Sequence, residues 1–249
     1  MRPEEPDLWL RRFHPSAEAT SELVCFPHAG GSAAYWHPLS SVLSPGIEVS
    51  AVQYPGRHDR RREAPADDLC GLADRITEVL GRAARPRALL GHSMGASLAY
   101  EVAVRLAARG LGEPAVLVVS GRRAPSRLRP AGDRLTDDAA LVARMRALGG
   151  TESAFLDDEE LLGLVLPTLR GDYRALASYA PTQGRPLSCP VLALAGDRDP
   201  EASVEDVRAW CRHTSGDFRL NVFTGGHFFL TDHTAALAGL VRTLLPAAV

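Results

Sequence analysis

From Ser21 onward, short apolar runs alternate with segments of helical period, and few folds accommodate that alternation. "SELVCFP", "IEVSAVQYPG", "RALLGHS", "PAVLVVSG" and "CPVLALAGDRD" read as strands, each ended by a Gly, Pro or polar turn. Their near-continuous apolar character fits strands buried on both faces. Between them, "DLCGLADRITEVLGRA" places Leu69, Leu72, Ala73, Ile76, Val79 and Leu80 on one helical face. "GASLAYEVAVRLAARG" spaces Leu98, Val102 and Leu106 four apart, with Gly110 as a stop. "AAYWHPLSSVL" is a further helix whose Pro38 predicts an irregular first turn. We therefore expect an α/β fold: a mostly parallel central sheet with helices on both faces, as one domain over residues 1–249.

The rhythm breaks between about residues 122 and 185, where no strand is expected. "LTDDAALVARMRALGG" and "LDDEELLGLVLPTLRGDYRALASYA" read as helices with acidic first turns, the second kinked at Pro167. This stretch is expected to form a helical lid over the sheet edge. Of its apolar residues, most of Leu162, Val165, Leu166 and Leu169 are expected to bury against the sheet.

"GHSMG", Gly91 to Gly95, lies between a strand and a helix. A G-x-S-x-G turn in that setting reverses the chain so sharply that the central serine is held strained at its tip, above the C-terminal edge of the sheet. Ser93 is the candidate nucleophile, and the Met94 N–H at the start of the next helix is a candidate oxyanion donor. A serine hydroxyl needs a base. Of the eight histidines, His227 follows the strand "FRLNVFTGG" and precedes the helical "HTAALAGLVRTLL", so its imidazole can reach back across the sheet edge. His92 should point away from the serine. His28 either lines the site or is held by a structural hydrogen bond. His14, His37, His58, His213 and His233 read as surface residues.

The base needs a carboxylate to fix its tautomer. "LALAGDRDP" offers two. Asp199, deeper in the turn and just before Pro200, is favoured, while Asp197 reads as a turn residue bonding its own backbone. The second oxyanion donor is expected from the Gly-containing turn "FPHAGGSA", with the Ala29 N–H first and Gly30 next. The chain order Ser93, Asp199, His227 is that of an α/β-hydrolase fold.

Together, "FPHAGGSA", "VQYPGR", "GHSMGA", "SGRRAPS", "GDRDP" and "GGHFFL" resemble the type II thioesterases of polyketide and nonribosomal peptide synthesis, over about residues 21–245. The resemblance implies an editing enzyme that hydrolyses aberrant or stalled acyl groups from the phosphopantetheine arm of acyl or peptidyl carrier proteins. In that pattern the catalytic residues fall on Ser93, Asp199 and His227 and the oxyanion hole on Ala29 and Met94. An acidic carrier surface is a further expectation from the family, and Arg57, Arg60, Arg61, Arg62, Arg122, Arg123, Arg127 and Arg129 are candidates to steer it. The competing readings are an esterase for small free esters and a cyclising, product-releasing thioesterase. The initiating methionine favours a free-standing chain over the latter.

Composition narrows the remaining classes. A formal net charge of −2 gives no reason to expect nucleic acid as partner. No apolar run approaches the roughly 20 residues that span a bilayer, and "MRPEEPDLWLRRFHP" lacks a hydrophobic signal region. Cys25, Cys70, Cys189 and Cys211 are scattered and form no CxxC pair, so they read as structural thiols and not as a metal site. A cytoplasmic monomer without cofactor or metal is expected, its phosphopantetheine arriving on the substrate.

Overall fold

The computed structural model describes residues 5–128, 137–149 and 157–245. Its centre is a seven-stranded sheet of β1 (Leu10–Arg11), β2 (Ser21–Phe26), β3 (Ile47–Val52), β4 (Arg87–His92), β5 (Val116–Ser120), β6 (Val191–Gly196) and β7 (Phe218–Phe223). The strand order is β1-β3-β2-β4-β5-β6-β7. Every neighbouring pair is parallel except β1 with β3.

Period-2 alternation sorts the strand residues onto two cores. Val24, Phe26, Leu89, Leu117, Val119 and Ala193 face one side. Leu23, Cys25, Leu90, Val118, Leu192 and Leu194 face the other. The first core is covered by α3 (Leu69–Leu80), α4 (Met94–Ala108) and the short α7 (Val204–Arg208). The second is covered by α2 (His37–Leu43) and α8 (Thr234–Leu244). Asp68 caps α3 by accepting from the Cys70 and Gly71 N–H groups. The irregular start anticipated at Pro38 is a 3₁₀ turn, Ala33–Trp36, with the proline in the first turn of α2.

Between β5 and β6 the described residues hold no strand, only α5 (Asp138–Leu148), α6 (Glu159–Ser178) and a short 3₁₀ turn. Pro167 divides α6 into dissimilar halves. Residues 159–167 are exposed or half-buried, whereas Thr168, Leu169, Gly171, Asp172, Ala175 and Leu176 are buried. Of the four apolar residues expected to bury against the sheet, only Leu169 is buried; Leu162, Val165 and Leu166 stay half-buried. The N-terminal α1 (Glu5–Trp9) and two-residue β1 are additions, too short to carry a periodic signal.

The order of strands locates the site. After β2 the chain passes to β3 on one side, then crosses back to β4 and continues outward to β7. The β2–β4 boundary is therefore a switch point, and the loops leaving these strands diverge above it to open a crevice. Phe26, the last residue of β2, pairs with Gly91 of β4. The turn after β2 and the turn bearing Ser93 consequently stand side by side.

Candidate active site

Ser93 has φ +55° and ψ −122°, a conformation L-residues rarely adopt, immediately before α4. Such strain costs of order 1–3 kcal/mol and persists only where its surroundings enforce it. Here β4 and α4 meet so closely that both flanking positions exclude a side chain. A Cβ on Gly91 would collide with the Gly95 carbonyl, and one on Gly95 with the Phe26 carbonyl of β2. The Ser93 N–H donates to the Ser120 carbonyl at 2.8 Å, anchoring the elbow to β5. Since backbone on both sides blocks relaxation, Gly95→Ala is expected to cost at least about 3 kcal/mol, at or beyond the upper end for overpacking. A chemical-denaturation curve of the purified variant measures this.

Asp199 and His227 come from the turns after β6 and β7. Gly196 lets the two turns touch, because a Cβ there would lie 2.6 Å from the Gly226 carbonyl. The His227 Nδ1 lies 3.0 Å from each Asp199 carboxylate oxygen, and both side chains are buried. The Glu201 N–H donates to Asp199 Oδ1 at 2.8 Å, fixing the carboxylate. A carboxylate partner accepts, so the ring proton belongs on Nδ1 and Nε2 keeps its lone pair. Asp197 bonds within its own turn as expected, to its own backbone and to the Arg198 guanidinium at 3.5 Å. Its carboxylate also accepts the Gly225 N–H at 2.8 Å and ties the two turns together.

His227 belongs to an aromatic cluster. Its ring centroid is 5.0 Å from that of His92, next to Ser93 in sequence, and 5.1 Å from Phe228. His92 points away from the elbow tip, with Nδ1 3.0 Å from Ser120 Oγ. His28 packs on Tyr35 and Phe228, at 4.7 and 4.8 Å between centroids. Of its two readings, the structural hydrogen bond is not found: His28 lines a cavity, and its buried Nδ1 has no partner among the described residues. His213 is not a free surface residue, since its ring packs against Tyr100 and Trp210.

Burial depresses both neighbours of His227. Desolvation, helped by His227 and Arg57, lowers the His28 pKa from 6.5 to about 3. Desolvation, then His227 and His28, lowers that of His92 well below 6.5. Both rings therefore stay neutral beside His227 at physiological pH. Below pH 6.5 an unfolded histidine takes up a proton that these folded ones refuse. The unfolded chain then binds more protons, and stability falls with pH. This contribution is complete above about pH 6.5 and is lost as pH drops toward 3. Burial raises the Asp172 carboxyl and acts in the opposite sense, one group against two. Denaturation midpoints measured from pH 7 to pH 4 are expected to fall, with a slope about one proton shallower in His28→Phe.

The cavity, about 210 Å³, adjoins the same loops. Its walls include His28, Ala29 and Phe228 from the loops, Met145 from α5, and Val165 and Leu169 from α6. Ser93 is not among its lining residues. The Ala29 N–H makes no hydrogen bond among the described residues, and Met94 is the first residue of α4, where backbone N–H groups have no intrahelical partner. The Gly30 N–H is committed elsewhere, donating to Asp172 Oδ2 at 2.6 Å. That removes Gly30 as the alternative donor.

Two arginines expected on a docking surface are internal. The Arg57 guanidinium pairs with Asp172 and donates to the Gly31 and Pro55 carbonyls at 2.8 Å each. Arg60 is buried over the Trp9 ring, held by Glu63 and the Gln53 carbonyl. Arg123 pairs with Asp206 and the Arg122 side chain donates to Ser97 Oγ. Arg61, Arg62 and Arg127 are exposed, and Arg129 lies outside the described residues. Sequence reasoning missed Asp172. Its signal was an acid on the apolar stripe of Leu169, Ala175 and Leu176.

A mostly parallel sheet with a serine elbow at its switch point and a carboxylate–imidazole pair on the following turns defines an α/β-hydrolase fold. Within that fold the chain belongs to the thioesterase family, whose domain model matches residues 21–245. It is 50% identical over 231 residues to thioesterase PikA5 of Streptomyces venezuelae, covering 90% of this chain and 81% of that protein. It is 51% identical over 230 residues to a probable cadicidin biosynthesis thioesterase of Streptomyces griseus, covering 92% of this chain. The match spans 63% of that relative's length. Among solved structures, the type II thioesterase BorB from the borrelidin biosynthetic cluster superposes with a TM-score of 0.88 at 45% identity. That superposition covers 96% of this chain and 98% of BorB. No helix among the described residues is long and apolar enough to cross a membrane.

Proposed function

We propose that this protein is a serine thioesterase that edits modular synthases, hydrolysing aberrant or stalled acyl groups from the phosphopantetheine thiol of acyl or peptidyl carrier proteins. The observation that carries the reading is the Asp199–His227 pair at 3.0 Å, set on the turns of the same sheet edge as the strained Ser93. Membership of the thioesterase family and likeness to BorB support the substrate class.

In this mechanism His227 Nε2 takes the Ser93 proton as Oγ attacks the thioester carbonyl. Asp199 holds the ring and stabilises the imidazolium. His28 and His92, neutral through burial, add no charge against the imidazolium. The oxyanion is held by the Ala29 and Met94 N–H groups. Collapse expels the pantetheine thiolate, which takes the proton from His227 Nε2 as it departs and so restores the base. Being a better leaving group than an alkoxide, it needs less acid help from His227 than an ester would. Water activated by His227 then releases the acid from acyl-Ser93. All the groups used are protein groups, so no resident cofactor or metal is required.

The cavity is the proposed acyl chamber. Apolar walls discriminate by only about 1–3 kcal/mol per methylene, which suits an enzyme that accepts varied mistakes. Exposed Arg61, Arg62 and Arg127 remain candidates to attract an acidic carrier. A monomer in a reducing cytoplasm is the state this reading assumes, and the free thiols of Cys25, Cys70, Cys189 and Cys211 agree with it.

The test is turnover of a panel of acyl-loaded carrier proteins against matched free alkyl esters, read by intact mass and by acid release. Higher kcat/KM on the carrier thioesters is expected. Preference for the free esters would replace this reading with an esterase, and a lactone product with a cyclising enzyme.

A further inference from the structure

The turn after β2 is gripped from two sides by one buried ion pair. Asp172, on the C-terminal half of α6, accepts the Gly30 N–H at 2.6 Å and pairs with Arg57. Arg57 in turn donates to the Gly31 carbonyl at 2.8 Å. Gln53 extends the frame, accepting the Ala33 N–H at 2.9 Å and donating to the Arg57 carbonyl at 3.1 Å. The ion-pair side chains are only 4% and 2% exposed.

Adhesion does not account for this pair. Desolvating two charges offsets most of their attraction, and apolar residues of similar volume usually hold elements together as well or better. The half of α6 that bears Asp172 is already docked without it. Leu169 sits 2.7 Å from where a Gly30 Cβ would be, at φ +75°, and Thr168 Oγ1 donates to the Gly56 carbonyl at 2.9 Å. What the pair adds is direction. It points the Gly30 N–H toward α6 and the Gly31 carbonyl toward Arg57, while the adjacent Ala29 N–H has no hydrogen-bond partner among the described residues. Arg57 also neutralises a carboxylate that would otherwise oppose an oxyanion forming one residue away.

We propose that Asp172, paired with Arg57, is a positioning residue: through Gly30 it orients the Ala29 N–H toward the oxyanion of the thioesterase reaction. The inference rests on the reading given under Proposed function. It also makes the oxyanion hole depend on the seating of the C-terminal half of α6.

The test uses the full chain with Arg57→Met/Asp172→Leu, which removes both charges while roughly keeping volume, so a folded protein is expected. A second variant, Asp172→Asn, retains a carbonyl oxygen for the Gly30 N–H. The readouts are kcat and KM on an acyl-carrier thioester, and the Ki of an alkylboronic acid whose tetrahedral Ser93 adduct presents an oxygen to the hole. The double variant is expected to lose about 10- to 100-fold in kcat, less than or comparable to deleting one donor outright. Its boronate affinity should fall in parallel, with KM within about threefold of wild type, and Asp172→Asn should recover at least half of the lost activation free energy. Either a double variant with kcat and boronate affinity within about threefold of wild type, or a rise in KM alone, overturns the proposal. Ser93→Ala serves as the control: if wild type binds boronate no more tightly than it, the catalytic reading fails, not the positioning one.

Discussion

Ser93→Ala is expected to lower kcat on a carrier thioester by about 10⁶-fold while leaving the fold and KM nearly unchanged. Losses of that size follow removal of a nucleophilic serine from a comparable triad. The residual rate comes from substrate binding and oxyanion stabilisation, which the variant keeps. The substitution deletes only Oγ, and nothing that anchors the elbow depends on it: the Ser93 N–H still reaches the Ser120 carbonyl. Alanine also keeps the Cβ that the backbone at φ +55° already tolerates, so any loss of stability should be small. Single-turnover mass spectrometry of an acyl-loaded carrier, beside a thermal melt of the same preparation, separates chemistry from folding. A variant retaining more than about 1% of wild-type turnover would assign the nucleophile elsewhere.

Asp199→Asn carries the second largest effect, about 10⁴-fold in kcat, by analogy with the same change in a serine protease triad. The carboxylate offers both oxygens to His227 Nδ1 at 3.0 Å and accepts the Glu201 N–H as well. An amide preserves that shape but presents an NH₂ group. When its oxygen stays with the Glu201 N–H, the NH₂ faces Nδ1 and selects the tautomer with the proton on Nε2, the wrong nitrogen for a base. The imidazolium formed during attack also loses its counter-charge. KM should change little, because nothing places Asp199 in the acyl chamber. The corresponding change at Asp197, whose carboxylate accepts the Gly225 N–H and pairs with Arg198, should leave kcat within about threefold. Paired steady-state kinetics of the two asparagine variants distinguish a catalytic carboxylate from a turn carboxylate. Equal losses at both positions would contradict the assignment.

The parallel strands and their helices were legible because burial on both faces imposes near-continuous apolar runs, and helical period imposes its own spacing. "GHSMG" was legible for a steric reason. Gly91 and Gly95 are places where β4, α4 and β2 leave no room for a Cβ, and that requirement is written directly as glycine. Asp199 and His227 were found from position just past strand ends. What escaped was long-range polar pairing. Arg57 in "YPGR" looked like surface charge, because a sequence does not reveal that Asp172, far along the chain, closes over it. The cavity walls escaped for a related reason: whether Val165 lines a chamber or packs on the sheet depends on how α6 seats against the turn after β2. Strand β1 pairs over only two residues with β3, too few to establish any period.

The central claim is that Ser93, Asp199 and His227, carried on turns after three different strands, act as one unit. Non-additivity in a double-mutant cycle tests it most directly, with kcat measured on a single acyl-carrier thioester for Ser93→Ala, His227→Ala and the double variant. The account predicts that the double variant is as slow as Ser93→Ala alone, within about threefold, because a base without its nucleophile contributes nothing further. Losses that multiply would mean the imidazole and the hydroxyl act independently, and would contradict the account.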